Sequence, residues 1–514
     1  MRNHHNLSRR TIGVFLLCTL WLAACSGPEA PPTEAPNTGS GIVPQGISLA
    51  LKMPAAASAK PFSFPKAAAK ALDNGLQVFV VSDPEQPLVT ARLVIAGAGS
   101  VNDPRGLPGV ANMTADLLTQ GTASRSAQQI AEAIDFVGGV LSAGADNDGA
   151  FITLSVVKKD FPLAMDLLSD ILLHPAFNGE EVERRRQQAL SNLEVQYSDP
   201  DYVATILLDR LVYGQHPYGL PGSGTPDSIR KLGRGDLVSF WESHFVPGRA
   251  LLAFAGDVTP GNAFAAANQY LGKTAWPARQ TRIDAPPVPE PTRGMRIVFV
   301  DKPDANQSQI RVGRLGIPRN NPDYLPLYVT NRIFGGGFNS RLSTEVRQKK
   351  GLTYGAYSNF NSYLLAGNFS ASTFTRTEAT VEAAKLMVDL IAGMSSGELG
   401  PSELDFARDY IAGVFPIQSE TSEQVASRVL AVAQYQLPAD YNDTYQQKVL
   451  AVSPAKVREM AGRYFDSSNL VVVLVGNVKE FRDSIRKEFP KAGFEDLAFG
   501  NVNLLAPDLR SPAK

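Results

Sequence analysis

The chain states one segment twice. Gly75-Leu76-Gln77-Val78-Phe79-Val80-Val81-Ser82-Asp83-Pro84 returns as Gly294-Met295-Arg296-Ile297-Val298-Phe299-Val300-Asp301-Lys302-Pro303, an offset of 294 − 75 = 219 residues. Leu251-Leu252-Ala253-Phe254-Ala255-Gly256-Asp257-Val258 returns as Val471-Val472-Val473-Leu474-Val475-Gly476-Asn477-Val478, an offset of 476 − 256 = 220. One register therefore holds from the start of a long unit to its end. A period this long is two copies of a domain, not a solenoid repeat of ~20–50 residues.

Inside the copies, strand-like runs alternate with amphipathic helices. Ser126-Ala127-Gln128-Gln129 is a capping box, and Ile130, Ala133, Ile134 and Val137 share one face of the helix it opens, which Gly138-Gly139 ends. Asn178-Gly179-Glu180-Glu181 opens a longer helix reaching about Tyr197, and its second-copy counterpart starts near Ser402. Strands precede helices, yet no glycine-rich phosphate loop follows a strand. These patterns predict an α+β fold of tandem duplicated domains, each a mostly antiparallel sheet with helices packed on one face. The expected boundaries are 69–280 and 294–506, joined by a Pro-rich linker over 281–293 that contains Pro286-Pro287-Val288-Pro289-Glu290-Pro291.

The N-terminal 68 residues read differently. Arg2, Arg9 and Arg10 precede an apolar run from Thr11 to Ala24, which predicts a signal peptide over 1–24, too short for a comfortable membrane span. Leu22-Ala23-Ala24-Cys25 resembles the bacterial lipoprotein box, which implies cleavage before Cys25 and a lipid on its thiol. Ser26 in the next position then implies the outer membrane, and residues 25–68 read as a lipidated, Pro/Ala-rich tether. With the signal gone, 49 − 3 = 46 cations face 50 acids, a net charge of −4, which offers nothing to nucleic acid. Cys18 and Cys25 are the two cysteines, so the processed chain would carry no disulfide and no thiolate metal site.

Several motifs share one family likeness. Gly109-Val110-Ala111-Asn112-Met113-Thr114-Ala115-Asp116-Leu117-Leu118-Thr119-Gln120-Gly121-Thr122 resembles the zinc-site segment of the pitrilysin/insulinase metallopeptidases. Gln215-His216-Pro217-Tyr218-Gly219, Gly256-Asp257-Val258, Gly335-Gly336-Gly337-Phe338-Asn339-Ser340-Arg341-Leu342 and Arg347-Gln348-Lys349-Lys350-Gly351-Leu352-Thr353-Tyr354 look like the same family. The resemblance runs from about Ala69 to Ala506. It implies tandem α+β domains that enclose a chamber for peptides.

The family's zinc motif is H-x-x-E-H, two histidines on one helix face with a glutamate as general base. Here those positions hold Asn112, Ala115 and Asp116, and the distal ligand position, about 80 residues on, falls near Asn192. Glu194 is close but lies on another helix face. Of five histidines, His4 and His5 leave with the signal. His174, His216 and His244 have no i+3 or i+4 partner. His216 reads as a loop residue capping a turn and His174 as a helix C-terminal residue. No metal is expected on this chain.

What the second copy keeps is Arg347 and Tyr354, seven apart. Asn339 or Ser340 is expected to cap a helix through Arg347, with Leu352-Thr353-Tyr354 entering a strand. In the family an Arg and a Tyr at this place grip substrate. Gly335, Gly336 and Gly337 read either as a chamber-lining loop or as a tight turn. The resemblance therefore implies a substrate-binding subunit, inactive alone, that partners a zinc-bearing homologue in peptide hydrolysis and faces the periplasm. The competing reading is a non-enzymatic scaffold or peptide-binding lipoprotein of the same fold.

Overall fold

Each copy of the repeat builds one six-stranded sheet. The computed structural model describes residues 59–273, 276, 286–396 and 398–511, all within one compact unit. The signal, Cys25, most of the tether and part of the linker lie outside the described residues.

The first half runs β1 (Ala68–Ala71), β2 (Gln77–Ser82), β3 (Leu88–Ala96), α1 (Val110–Leu117), α2 (Ala127–Phe136), β4 (Val140–Ala145), β5 (Gly149–Val157) and α3 (Phe161–Leu173). It continues with α4 (Gly179–Ser198), α5 (Pro200–Tyr213), α6 (Pro226–Lys231), α7 (Arg234–His244), β6 (Ala250–Gly256) and α8 (Pro260–Ala267). The second half runs β7 (Arg296–Asp301), β8 (Gln307–Leu315), α9 (Tyr324–Phe334), β9 (Ala356–Ser362), β10 (Gly367–Arg376), α10 (Thr380–Ser396) and α11 (Glu403–Ile417). It ends with α12 (Ser422–Gln434), α13 (Tyr441–Leu450), α14 (Pro454–Tyr464), β11 (Val471–Gly476), α15 (Arg482–Glu488) and β12 (Gly493–Ala498).

The sheet orders are β1-β2-β6-β3-β5-β4 and β12-β7-β11-β8-β10-β9. The two repeated segments of each copy become parallel neighbours in one register. Ser82 lies opposite Gly256 in the first sheet, and Asp301 lies opposite Gly476 in the second. The other pairings are antiparallel, except that β12 joins β7 in parallel where β1 joins β2 antiparallel. Both sheets are mostly antiparallel, as the sequence predicts. The sixth strand is where the copies diverge, because it comes from before β2 in one and from the C-terminal end in the other.

Side chains alternate between the faces of each sheet. In the first, Val78, Leu93, Leu252 and Phe254 face α1, α3, α7 and α8 of the same half. In the second, Ile297, Val312, Phe369 and Leu474 face α10 and α14. The opposite faces are covered by exchange. Ala204, Leu207, Leu208 and Leu211 of α5 pack on Val298, Val300, Val471 and Val473 of the second sheet. Val425, Ala426, Val429 and Leu430 of α12 pack on Val94, Leu251, Ala253 and Ala255 of the first. A buried Leu or Val side chain contributes about 1.5–3 kcal/mol. Three such side chains per helix, beside one alanine, bring each exchange into the range of a domain's whole net stability, about 5–15 kcal/mol.

Polar contacts pin the exchange. Buried Arg311 of β8 pairs with Asp201 at the start of α5 and donates from Nε to Thr205 at 3.2 Å. Arg210 Nε donates to the Leu504 carbonyl at 2.8 Å. A strap before β1 completes the join: Phe62 meets Phe415 edge-on, Phe64 lies tilted against it, and the Phe62 N–H donates to Gln446.

Candidate functional site

The helix carrying the zinc-like positions is firmly placed. Asp103 accepts from the Gly109 and Ala111 N–H groups, both at 2.7 Å, and so satisfies the start of α1. Gly109 sits at φ 103, where any side chain is strained, and a Cβ there would lie 3.0 Å from Gly224. The loop around Gly224 is thereby pressed onto α1.

Long helix α4 packs beside α1, and between them opens a cleft of ≈ 230 Å³ lined by Asn112, Asp116, Arg185, Gln188, Asn192 and Gln196, among others. Three of the four degenerate positions thus meet in one place, although Asn112 and Asn192 are 80 residues apart in sequence. The fourth does not. Ala115 is fully buried in the first-half core and takes no part in the cleft.

A zinc ion does not fit these residues. Asp116 is the lone carboxylate among them, and the Arg185 guanidinium lies 3.8 Å from it. Burial pushes the Asp116 carboxyl above its usual range, with Arg185 opposing. A zinc site needs about four N, S or O donors and no cation in their midst. Among the described residues no cluster of three His, Cys, Asp or Glu could hold a metal. The histidines are spent elsewhere. His174 ends α3. His216 accepts from the Tyr218 N–H at 3.1 Å, and His244 bonds to the Gly97 carbonyl and stacks on Phe240. Burial holds both His216 and His244 down at about 4, so they are neutral at pH 7.

Arg185 is the residue that sequence reasoning missed. It sits in a helix crowded with exposed Glu, Arg and Gln and reads there as one more solvated charge. No signal in the sequence sets it apart from Arg184 or Arg186.

In the second half, the segment before Arg347 departs from an ordinary helix. Residues Ser343–Lys349 form a π-helical stretch in which the Lys350 N–H donates to the Glu345 carbonyl, five residues back, at 3.1 Å. Such widened turns are rare and concentrate at functional sites. The half-buried Arg347 guanidinium lies over the Phe338 ring, 4.4 Å from its centroid, and Phe338 is itself exposed.

Leu352-Thr353-Tyr354 does not enter a strand, because β9 starts at Ala356. The three residues lead up to it through a bend at Tyr354. The Thr353 hydroxyl accepts from the Gly355 N–H at 3.0 Å and donates to the Gly355 carbonyl at 2.9 Å, and Thr373 donates to that carbonyl at 2.9 Å. These bonds outcompete the strand propensity of the segment. They brace the bend while Tyr354 stands out from it, 84% exposed, with no hydrogen-bond partner for its hydroxyl among the described residues.

The three glycines form a packed turn at the end of α9. The Gly335 and Gly336 N–H groups donate to the Asn331 carbonyl, and Ser358 of β9 donates its N–H to Gly335. A Cβ on Gly335 would collide with Ser358, and one on Gly337 with the Arg332 guanidinium. Close packing, rather than flexibility, accounts for glycine at both positions.

Comparison with known proteins agrees with this architecture. Residues 77–225 match Insulinase (Peptidase family M16), and residues 231–411 match the Peptidase M16 inactive domain. An uncharacterized zinc protease of Mycobacterium tuberculosis is 28% identical over 341 residues, 65% of this chain and 76% of that protein. A Helicobacter pylori protein named non-peptidase homolog YmxG is 25% identical over 403 residues, 77% of this chain and 90% of its own. The crystal structure of a peptidase M16 inactive domain from Pseudomonas fluorescens superposes with a TM-score of 0.75 at 28% identity, covering 80% of this chain and 98% of that one. A protease from H. pylori superposes with the same score at 21% identity, covering 80% and 100%, and shares the fold. With the duplicated sheets and the family's zinc-site helix in place, its ligands replaced, this chain belongs to the insulinase family, peptidase family M16.

Proposed function

We propose that this chain is the substrate-holding, non-hydrolytic member of a two-chain metallopeptidase whose zinc sits on a homologous partner. The observation that carries the reading is Tyr354. It stands where the family likeness puts a substrate-gripping tyrosine, 84% exposed beside a bend braced by three hydrogen bonds, so its hydroxyl is free to meet a substrate. Arg347 is held loosely: an exposed cation–π contact contributes about 0.5–1 kcal/mol. A hydrogen bond from a charged group to a peptide carbonyl is stronger, about 1.5–3 kcal/mol, so substrate can draw the guanidinium off Phe338. The pair would donate to the peptide backbone while the partner's metal supplies the attacking water. The peptidase-family match and the relative named a non-peptidase homolog fit such a division of labour.

The same reading places the chain in a bacterial cell envelope, facing the periplasm and anchored through Cys25, on the strength of the Leu22-Ala23-Ala24-Cys25 box. The test is affinity purification of the tagged chain from detergent-solubilised membranes, followed by mass spectrometry and metal analysis. The reading expects a co-purifying homologue with an intact H-x-x-E-H motif, and zinc in proportion to that homologue. A chain that purifies with unrelated membrane proteins and no such homologue would favour a scaffold.

A further inference from the structure

The cleft between α1 and α4 has lost its metal chemistry but has not been filled in. Its polar groups are also unspent. Among the described residues the side chains of Asn112, Asn192 and Gln196 make no hydrogen bond, and Arg185 makes one, from Nη1 to Gln188 at 3.0 Å. At the repeat offset, 112 + 219 = 331, the second copy also holds an asparagine. Asn331 is buried and bonded twice to Ser358, at 3.0 and 2.6 Å, as a purely structural amide would be. Asn112 is held differently. Its amide faces the cleft, close enough to Gly222 that a Cβ there would lie 2.7 Å from it.

Arg185 decides what such a cleft could take. Its Nε is buried and without a partner, and at 3.8 Å from Asp116 its outer nitrogens are beyond hydrogen-bond range. A planar fork with donors to spare, only Nη1 being engaged by Gln188, matches a carboxylate in bidentate fashion. The side-chain amides around it offer paired donors and acceptors that match a peptide backbone. At ≈ 230 Å³ the cleft is smaller than the ~300–1,000 Å³ of sites that enclose a whole small molecule, so it suits the end of a chain or one side chain.

We propose that this cleft is a carboxylate-binding subsite for peptide, in which Arg185 receives the carboxylate and Asn112 and Asn192 bond the adjoining backbone amide. The assignment rests on the reading of the chain as a peptide-holding subunit, and it gives that subunit a preferred end of the peptide. The guanidinium then takes over electrostatically from the lost metal: one fixed positive charge, unable to activate water, attracting the same anionic groups.

The test is isothermal titration calorimetry on the purified full chain with three forms of one ten-residue peptide lacking acidic residues: the free C-terminal acid, the C-terminal amide, and the amide with one Gln replaced by Glu. The inference expects the acid to bind at least 10-fold more tightly than the amide. Recovery of that affinity by the Glu-bearing amide would make the subsite one for acidic side chains as well, and no recovery would make it specific for the chain terminus. Arg185→Gln should abolish the preference, Arg185→Lys should keep part of it, and Asp116→Asn should strengthen it by removing a competing carboxylate. Equal affinity of acid and amide for the unmodified chain, or no binding of either through Arg185, overturns the inference. Tyr354→Phe, titrated in parallel, separates the two claims. If it weakens all three peptides while acid and amide stay equal, the peptide-holding role stands and the carboxylate subsite falls. If the acid preference persists and Tyr354→Phe changes nothing, the Arg347/Tyr354 role falls instead.

Discussion

Leu364, in the second half, donates its backbone N–H to the carboxylate of Asp148, in the first, at 2.9 Å. Asp148 is 2% exposed and also accepts from the Tyr218 hydroxyl, and burial pushes its carboxyl up to about 6 against those bonds. Nearby, Asn368 of the second half donates to Asp209 of the first at 2.6 Å, and burial pushes Asp209 up to about 7. Asp148 and Asp209, two of the carboxylates that join the halves, are thus easier to bury protonated than charged.

The sign of the pH effect follows. A carboxyl whose folded value is raised contributes stability that is fully present below about 3.8 and is lost as pH rises through about 6 for Asp148. The shift corresponds to about 3 kcal/mol for Asp148, at about 1.36 kcal/mol per pH unit. Asp148→Asn should therefore be less pH-dependent than the unmodified chain between pH 5 and 7, gaining relative stability toward pH 7. Denaturant midpoints at the two pH values check this, and parallel pH profiles for the two proteins would refute it.

The exchange of α5 and α12 predicts that neither half folds alone. Expressed separately, residues 59–285 and 286–511 should each be insoluble or molten, since each sheet would expose the face its partner helix covers. Coexpressed, they should assemble into a soluble pair. Leu208→Ala in α5 removes a fully buried side chain and should cost about 2–5 kcal/mol, unfolding both halves in one transition. Two separate transitions, or a soluble, folded single half, would contradict the account.

Much of this fold is legible in the chain. The constant offset of about 220 residues becomes two sheets of matching register, and Ser126 and Asn178 cap the helices their neighbours announce. The exchange is not legible. Amphipathic spacing says that α5 and α12 each have an apolar face, but not which sheet that face meets. Thr353 and Tyr354 favour a strand by propensity, and only the hydrogen bonds around Gly355 show a bend. The lost zinc ligands are visible as residue types. That Ala115 sits in the core and not in the cleft, and that Arg185 lines the cleft, needs the packing of α4 on α1.

Those two placements bear on any attempt to build a zinc site here. Asn112→His, Ala115→Glu and Asp116→His together should not bind zinc stoichiometrically, because the place near Asn192 where the family likeness puts the distal ligand still holds an amide. Ala115→Glu alone should lower thermal stability, since it puts a carboxylate into a fully buried position. Adding Asn192→Glu supplies the carboxylate the family likeness calls for but leaves the Arg185 guanidinium in the cleft, and a further Arg185→Leu should raise zinc affinity at least 10-fold. Elemental analysis and competition with a chelator measure it. Stoichiometric zinc in the three-residue variant, or no effect of Arg185→Leu, would show that the cleft is not blocked in this way.

The proposed membrane anchor has its own check. Cys25→Ala should leave unprocessed precursor or release the chain from membranes, as read by mass and by fractionation in high salt. Normal processing with unchanged retention would remove the lipoprotein assignment.

The most direct test of the central claim is peptide turnover by the proposed two-chain complex with Tyr354→Phe, which removes one hydroxyl from a residue 84% exposed. Loss of one such donor commonly costs ~10²–10³ in turnover. The account predicts a loss of that order, a similar loss for Arg347→Ala, and unchanged assembly and thermal stability in both. Full turnover by both variants in an intact complex would contradict it and leave the chain a scaffold.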